Sequence, residues 1–194
     1  MKQLLPFLVI ALLFSACCKD HSDLIPGQDF IPDDVLRAIE ENGQTIYKGF
    51  NPPDLEGKYL LAPAVLVRSN FDDPYLPGHL FLNATIGFSE YDPGKLTLKV
   101  TVSEGSASTG EGYGSFITGS GNNFTVYVKV ESTDAEGHTV LHADVYSGTV
   151  EAGGIRNLQR SYFMIDDMGD PDDRYIEIGN GRLAEDQDGF SEKI

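Results

Sequence analysis

The sequence predicts an all-β chain: an eight-stranded antiparallel up-and-down barrel with one short N-terminal helix. A two-sheet β-sandwich is the alternative packing of the same strands. Three observations lead there. Apolar residues recur at every second position through most of the chain beyond residue 58, as in strands buried on one side. The segments between them are short and rich in Gly, Asp and Pro, leaving no room for crossover helices, so neighbouring strands pair antiparallel. Only one stretch carries a helical period. Eight such strands must hide an apolar face and two edges; closing into a barrel does both, while two stacked sheets hide the face equally well.

The helix is expected over residues 32–42. Pro32 suits a first helical position, and Asp33 and Asp34 favour the positive end of the helix dipole. Val35, Leu36 and Ile39 form one apolar face, and Gly43 supplies a stop. A helix this short is marginal alone and must pack on something larger.

The first strand is expected at Tyr59 to Val67. Leu80, Leu82, Ala84, Ile86 and Phe88 then share a face. Leu96, Leu98, Val100 and Val102 repeat the pattern after the Asp92-Pro93-Gly94 turn. The glycine run from Gly105 to Gly114 reads as a flexible hairpin loop at the barrel rim, followed by a short strand at Tyr113 to Thr118. Phe124, Val126, Val128 and Val130 form the next apolar face, after a turn at Gly119 to Asn122. Asp134 to Gly137 turns the chain into a strand whose inward set is Leu141, Ala143 and Val145. That assignment sends His142, Asp144 and Tyr146 to the solvent side. Ser161 to Ile165 and Tyr175 to Ile178 complete the eight, separated by the acidic loop Asp166 to Asp173.

The N-terminal residues are set aside from the fold. Met1–Ala16 has a short basic start and an apolar run from Leu4. That run is too short for a stable membrane span, which takes about 20 residues, and has the form of an export signal. It ends in Phe14-Ser15-Ala16-Cys17, which resembles a bacterial lipobox. The resemblance implies a signal peptide over residues 1–16, and diacylglycerol attachment and cleavage at Cys17. Several acyl chains on one residue anchor where a single chain is marginal. Cys17 and Cys18 are the only cysteines, and a vicinal pair suits neither ordinary bridge geometry nor a disulfide scaffold. Residues 17–30 read as a polar tether, leaving 31–194 as one domain of ordinary size.

The chain carries 30 acidic against 14 basic residues, a formal net charge of -16, and loss of the signal would remove only Lys2 from that balance. Such a surface repels nucleic-acid phosphates and anionic headgroups, so nucleic acid is excluded as a partner.

The lipobox, the Asn51-Pro52-Pro53-Asp54-Leu55-Glu56-Gly57-Lys58-Tyr59 entry into the first strand, and a meander ending near Asp186-Gln187-Asp188-Gly189 resemble small Bacteroides-type lipoproteins with a lipocalin-like (calycin-like) domain. Gly57-Lys58-Tyr59 stands where lipocalins carry Gly-x-Trp. The resemblance implies a barrel able to hold a small apolar or amphipathic ligand, in an outer-membrane lipoprotein facing the periplasm or the cell surface.

Residue chemistry adds little toward catalysis. His138 and His142 share a strand face but lie roughly 13 Å apart on an extended chain, too far for one metal. Gly119-Ser120-Gly121 lacks the full nucleophile-elbow pattern and its strand-to-helix setting. The glycine run lacks the Lys-Ser/Thr ending of a phosphate loop. The acidic loops at 166–173 and 185–189 offer hard oxygen ligands without the register of a calcium loop. No catalytic set, metal site or cofactor is therefore expected. A non-catalytic, membrane-anchored protein is expected to bind a small apolar or amphipathic ligand or a glycan fragment. Its pocket wall would be Phe88, Val100, Phe124 and Val128, open near the 105–114 run. The alternative is an envelope module without a pocket that contacts another envelope protein.

Overall fold

The computed structural model describes residues 31–170 and 172–194. The expected signal peptide, Cys17 and the tether lie outside the described residues. The domain is mostly antiparallel β-sheet with one short helix.

Helix α1 (Asp33–Glu41) starts one residue later than expected, because Pro32 is extended and caps the helix through its carbonyl, which accepts from Leu36 N–H at 3.0 Å. Gly43, at φ +100, ends it in the left-handed region that glycine enters freely. Val35, Leu36 and Ile39 are buried as the spacing requires.

Eleven strands follow among the described residues. A two-residue β1 (Phe50–Asn51) lies parallel to β6. Then come β2 (Gly57–Leu61), β3 (Ala64–Ser69), β4 (Ala84–Asp92), β5 (Thr97–Glu104), β6 (Ser108–Ser120) and β7 (Asn123–Asp134). The chain continues through β8 (Thr139–Glu151), β9 (Gly154–Asp166), β10 (Gly181–Asp186) and β11 (Phe190–Lys193). From β4 to β9 each strand pairs antiparallel with the next. The sheet then returns on itself. β10 pairs both β9 and β3, and β11 pairs both β9 and β2, giving a ring-like sheet.

Two apolar clusters occupy opposite faces of this ring. The inner one gathers Tyr59, Ile86, Phe88, Val100, Phe124, Val126, Val128, Tyr146 and Leu158. The outer one seats α1 on β6 to β9, through Ile39 against Phe116, Tyr127, Ala143, Val145 and Phe163. The helix therefore flanks the sheet. Gln44 fastens the chain leaving it: its buried amide donates to Ser147 Oγ at 2.6 Å and accepts from Ser161 Oγ at 2.8 Å.

Four expectations are corrected. Residues 175–178 are loop, and the strand place assigned to them is filled by Gly181–Asp186 and Phe190–Lys193. Leu80 and Leu82 are exposed, because the ladder of β4 begins only at Ala84. The glycine run is no rim loop: only its first residues turn, and Ser108 onward is strand β6. A Cβ on Gly112 would stand 2.4 Å from Val128 and 3.1 Å from Val100, and one on Gly110 would stand 2.6 Å from Val130. The neighbouring valines fill that space, so these positions hold glycine for close packing. Finally, β8 is buried on both faces. Ala143 and Val145 meet the helix, so His142, Asp144 and Tyr146 point into the ring.

Candidate functional site

The corrected orientation of β8 sends an ionisable strand face inward, and a cavity of about 1000 Å³ opens above it. The cavity lies at the end of the ring where β5 turns into β6 and β7 into β8, flanked by Glu104 and Ser108. That is the end the glycine run marks. The loops at 70–83 and 172–180 wall its mouth. Leu61, Ala64, Ala84, Val102, Val140 and Ala184 supply apolar lining, while Phe71, Tyr75, Phe81, Tyr162 and Tyr175 supply rings.

Its floor is a connected polar network. Asp144 is fully buried and accepts from His142 Nδ1 at 2.7 Å, Tyr146 Oη at 2.5 Å and Arg160 Nε at 2.9 Å. Burial alone would raise this carboxyl, but the Arg160 guanidinium and His142 outweigh it and hold its pKa down to about 2. The phenol of Tyr146 is pushed upward by burial and by the Asp144 charge. Arg160 reaches on to Glu104 Oε1 at 2.6 Å, and its guanidinium lies 5.8 Å from the Tyr162 ring. Each ion here has a hydrogen-bonded partner, which is what allows charge to persist in a low-dielectric interior.

Above the floor, Arg182 of β10 is held two-pronged by Asp73, at 2.6 and 3.0 Å. Its guanidinium lies 5.3–5.5 Å from the rings of Phe71, Tyr75 and Phe81. One arginine thus ties the 70–83 loop over the cavity, by a charge-assisted pair and three cation–π contacts. Asn70 joins that loop to its neighbour, donating to Gly179 O and accepting from Gly181 N–H.

At the rim, Asp134, Glu136 and His138 bring three metal-capable atoms within 4.8 Å of one another. A cation is already there: Arg174 bonds Glu136 and lies 3.4 Å from His138 Nδ1. Tyr175 Oη donates to Asp134 at 2.8 Å, and that bond leads the set of contacts holding the Asp134 carboxyl well below its ordinary range. The cluster reads as an ion-paired loop clasp. In the acidic loop beyond β9, Asp166 and Asp167 accept local backbone N–H groups and Asp170 accepts from Tyr175 N–H. Asp186, in the second loop, accepts from Ser191 Oγ and Ala62 N–H through Oδ2 alone, and its Oδ1 is buried without a protein partner.

One chain of contacts has the connectivity of a hydrolase triad: Ser132 Oγ to His142 Nε2 at 2.9 Å, and His142 Nδ1 to Asp144 at 2.7 Å. An acyl-transfer site also needs donors for the developing oxyanion. Ser132 sits within a strand paired on both sides, to Gly110 and Val140, so the ladder consumes the backbone N–H groups around it. Ser132 should therefore stay unlabelled by a fluorophosphonate probe. Adduct formation at that residue, read by mass spectrometry, would reverse the assignment.

Phe88, Val100, Phe124 and Val128 are brought together, but beneath the cavity and not around it. All four are buried in the inner cluster, where Phe88 meets Phe124 at 6.3 Å and Tyr146 at 5.8 Å. Sequence reasoning missed the polar lining, Glu104, His142, Arg160 and Arg182 among it. The available signal was the paired alternation of His142, Asp144 and Tyr146 with Arg160 and Tyr162, opposite-charge sets on neighbouring strands. Comparison with family models, with curated proteins and with solved structures finds no match to this chain.

Proposed function

We propose that this is a membrane-anchored envelope lipoprotein whose domain is an eight-stranded, lipocalin-like up-and-down barrel binding a small amphipathic ligand without catalysis. In this reading β2 with β3, and β10 with β11, each act as one long bent strand. The register supports it, since residues 57–69 run antiparallel beside residues 181–193. Counting those two with β4 to β9 gives eight, the size at which a barrel interior either packs solid or holds one small ligand. Here the two options divide the interior. Phe88, Phe124 and Tyr146 fill one end and the cavity occupies the other.

The observation that carries the proposal is this cavity, with apolar walls and a few fixed polar groups converging on its floor. Its volume lies at the upper end of the usual range for small-molecule sites. Native mass spectrometry of protein isolated from its own host should show a retained small molecule. Ala184→Trp, which places an indole in the cavity, should abolish retention without unfolding the domain. Identical empty spectra for both proteins would favour the envelope-interaction module instead.

Anchoring rests on the Ser15-Ala16-Cys17 junction. Cys17→Ser should move the protein from the membrane fraction to the soluble one, whereas Cys18→Ser should leave it in place. Acylation found on Cys18, or none on Cys17, would remove the lipoprotein assignment.

A further inference from the structure

We propose that the ligand is an amphipathic cation, an alkyl or aryl chain ending in an ammonium group that seats against Glu104. This rests on the binding reading and deepens it.

Unspent charge in the cavity decides the sign of that group. Three arginines line the cavity, and each is already engaged. Arg182 is clamped by Asp73, Arg174 by Glu136 with Asp172 at 3.5 Å, and Arg160 by both Asp144 and Glu104. An anionic headgroup, whether carboxylate or phosphate, would find no net positive charge in any of these groups, since each guanidinium is matched or outnumbered by its carboxylates. A cation meets the opposite situation. At the floor two carboxylates share the single Arg160 guanidinium. Asp144 spends both its oxygens inside the network, whereas Glu104 bonds through Oε1 and its side chain remains about a third exposed to the cavity. Asp72, Asp134, Asp173 and Glu177 line the same space. The low-dielectric walls of a cleft concentrate that negative potential, and the net charge of -16 reinforces it.

The rings point the same way. Phe71, Tyr75 and Phe81 already hold one guanidinium at cation–π distance, so the wall of the cavity is chemically suited to positive charge. Leu61, Ala84, Val102 and Val140 offer the apolar remainder a dry surface.

Three probes of equal chain length separate the options: octylamine, octanol and octanoate, titrated calorimetrically into the unlipidated Cys17→Ser chain in low salt. Octylamine should bind at least tenfold more tightly than octanol, and octanoate should bind more weakly than either. Raising the salt should erode the amine's advantage, and Glu104→Gln should remove most of it, read as the ratio of amine to alcohol affinity within the variant. The amide can still accept from Arg160, and a thermal melt confirms that the variant is folded. Equal binding of amine and alcohol, tighter binding of octanoate, or an unaltered amine preference in Glu104→Gln would each overturn the cation assignment, with the cavity still a binding site. No binding of any probe would instead remove the cavity reading, and this inference with it.

Discussion

Replacing Asp144 by Asn should destabilise the domain by about 3–5 kcal/mol, the usual cost of stranding a buried charge. For a domain of this size that corresponds to a fall in Tm on the order of 10 °C. Asp144 is wholly buried and is the one carboxylate touching His142, Tyr146 and Arg160 together. Asparagine fits the space but carries no charge, leaving the Arg160 guanidinium with Glu104 alone in the interior.

The effect should depend on pH in a stated direction. The folded-state pKa of about 2 lies below the ordinary carboxylate value of 3.8. Asp144 therefore contributes stability in full above about pH 4 and loses it as the pH falls toward 2. That shift corresponds to about 2–3 kcal/mol of pH-dependent stability. Asp73, likewise held near 2 against burial by Arg182 and Ser69, loses its contribution over the same window. Denaturant melts of wild type and Asp144→Asn at pH 7 and at pH 2 are the measurement, and the gap should narrow at the acid end. A gap under 1 kcal/mol at pH 7, or one that does not change with pH, would show that the network does not hold the fold. Adding Arg160→Met to Asp144→Asn should recover part of the loss, because the stranded cation then disappears.

The same network shows how far residue patterning reaches. Alternation with period two located β5, most of β4 and most of β7, and caught only the Tyr113–Thr118 and Ser161–Ile165 parts of β6 and β9; it is clearest where one face alone is buried, as in β5. Helix α1 was legible for the same reason, through Val35, Leu36 and Ile39 with Gly43 as the stop. On β8 both faces are buried, one under the helix and one in the ring. Alternation can then say that two faces differ but not which is inside. Ala143 and Val145 looked like the core face, when they are the surface on which α1 docks. Burial of His142, Asp144 and Tyr146 depends on Arg160 and Glu104, 16 and 40 residues from Asp144 on two other strands, so the pattern within β8 alone does not contain it.

The last strands were illegible for a different reason. In β10, Arg182 and Ala184 face the cavity and β11 is only four residues long, so neither presents an apolar stripe. Their pairing comes from ring closure, a property of the whole sheet. Tyr175 and Ile176 have the β propensity that β10 lacks, yet they lie in a loop, with Tyr175 fixed by Asp134 and Asp170. Tertiary position outweighed propensity there.

Phe124→Ala should cost about 3–5 kcal/mol of stability, the range for removing a buried phenylalanine, while leaving the affinity of the folded protein for octylamine within about twofold of wild type. Both halves follow from where the ring lies. Phe124 opens β7 beside the Gly121 turn, and the cavity is at the far end of that strand near Ser132 and Asp134. Its ring is fully buried and forms an edge-on contact with Phe88. Its cross-strand partners are Gly119 on one side and Gly148 on the other, so neither neighbour has a side chain to relax into the space. A void should therefore persist, and voids in apolar cores cost in proportion to their volume. The sequence alone placed Phe124 in a ligand wall, where truncation would weaken binding more than folding. Calorimetric titration beside a denaturant melt separates these outcomes. A tenfold loss of affinity with under 1 kcal/mol of destabilisation would move the ligand down among Phe88, Val100 and Val128. Loss of stability with affinity intact keeps those side chains as the packed end of the ring, on which the charged floor rests.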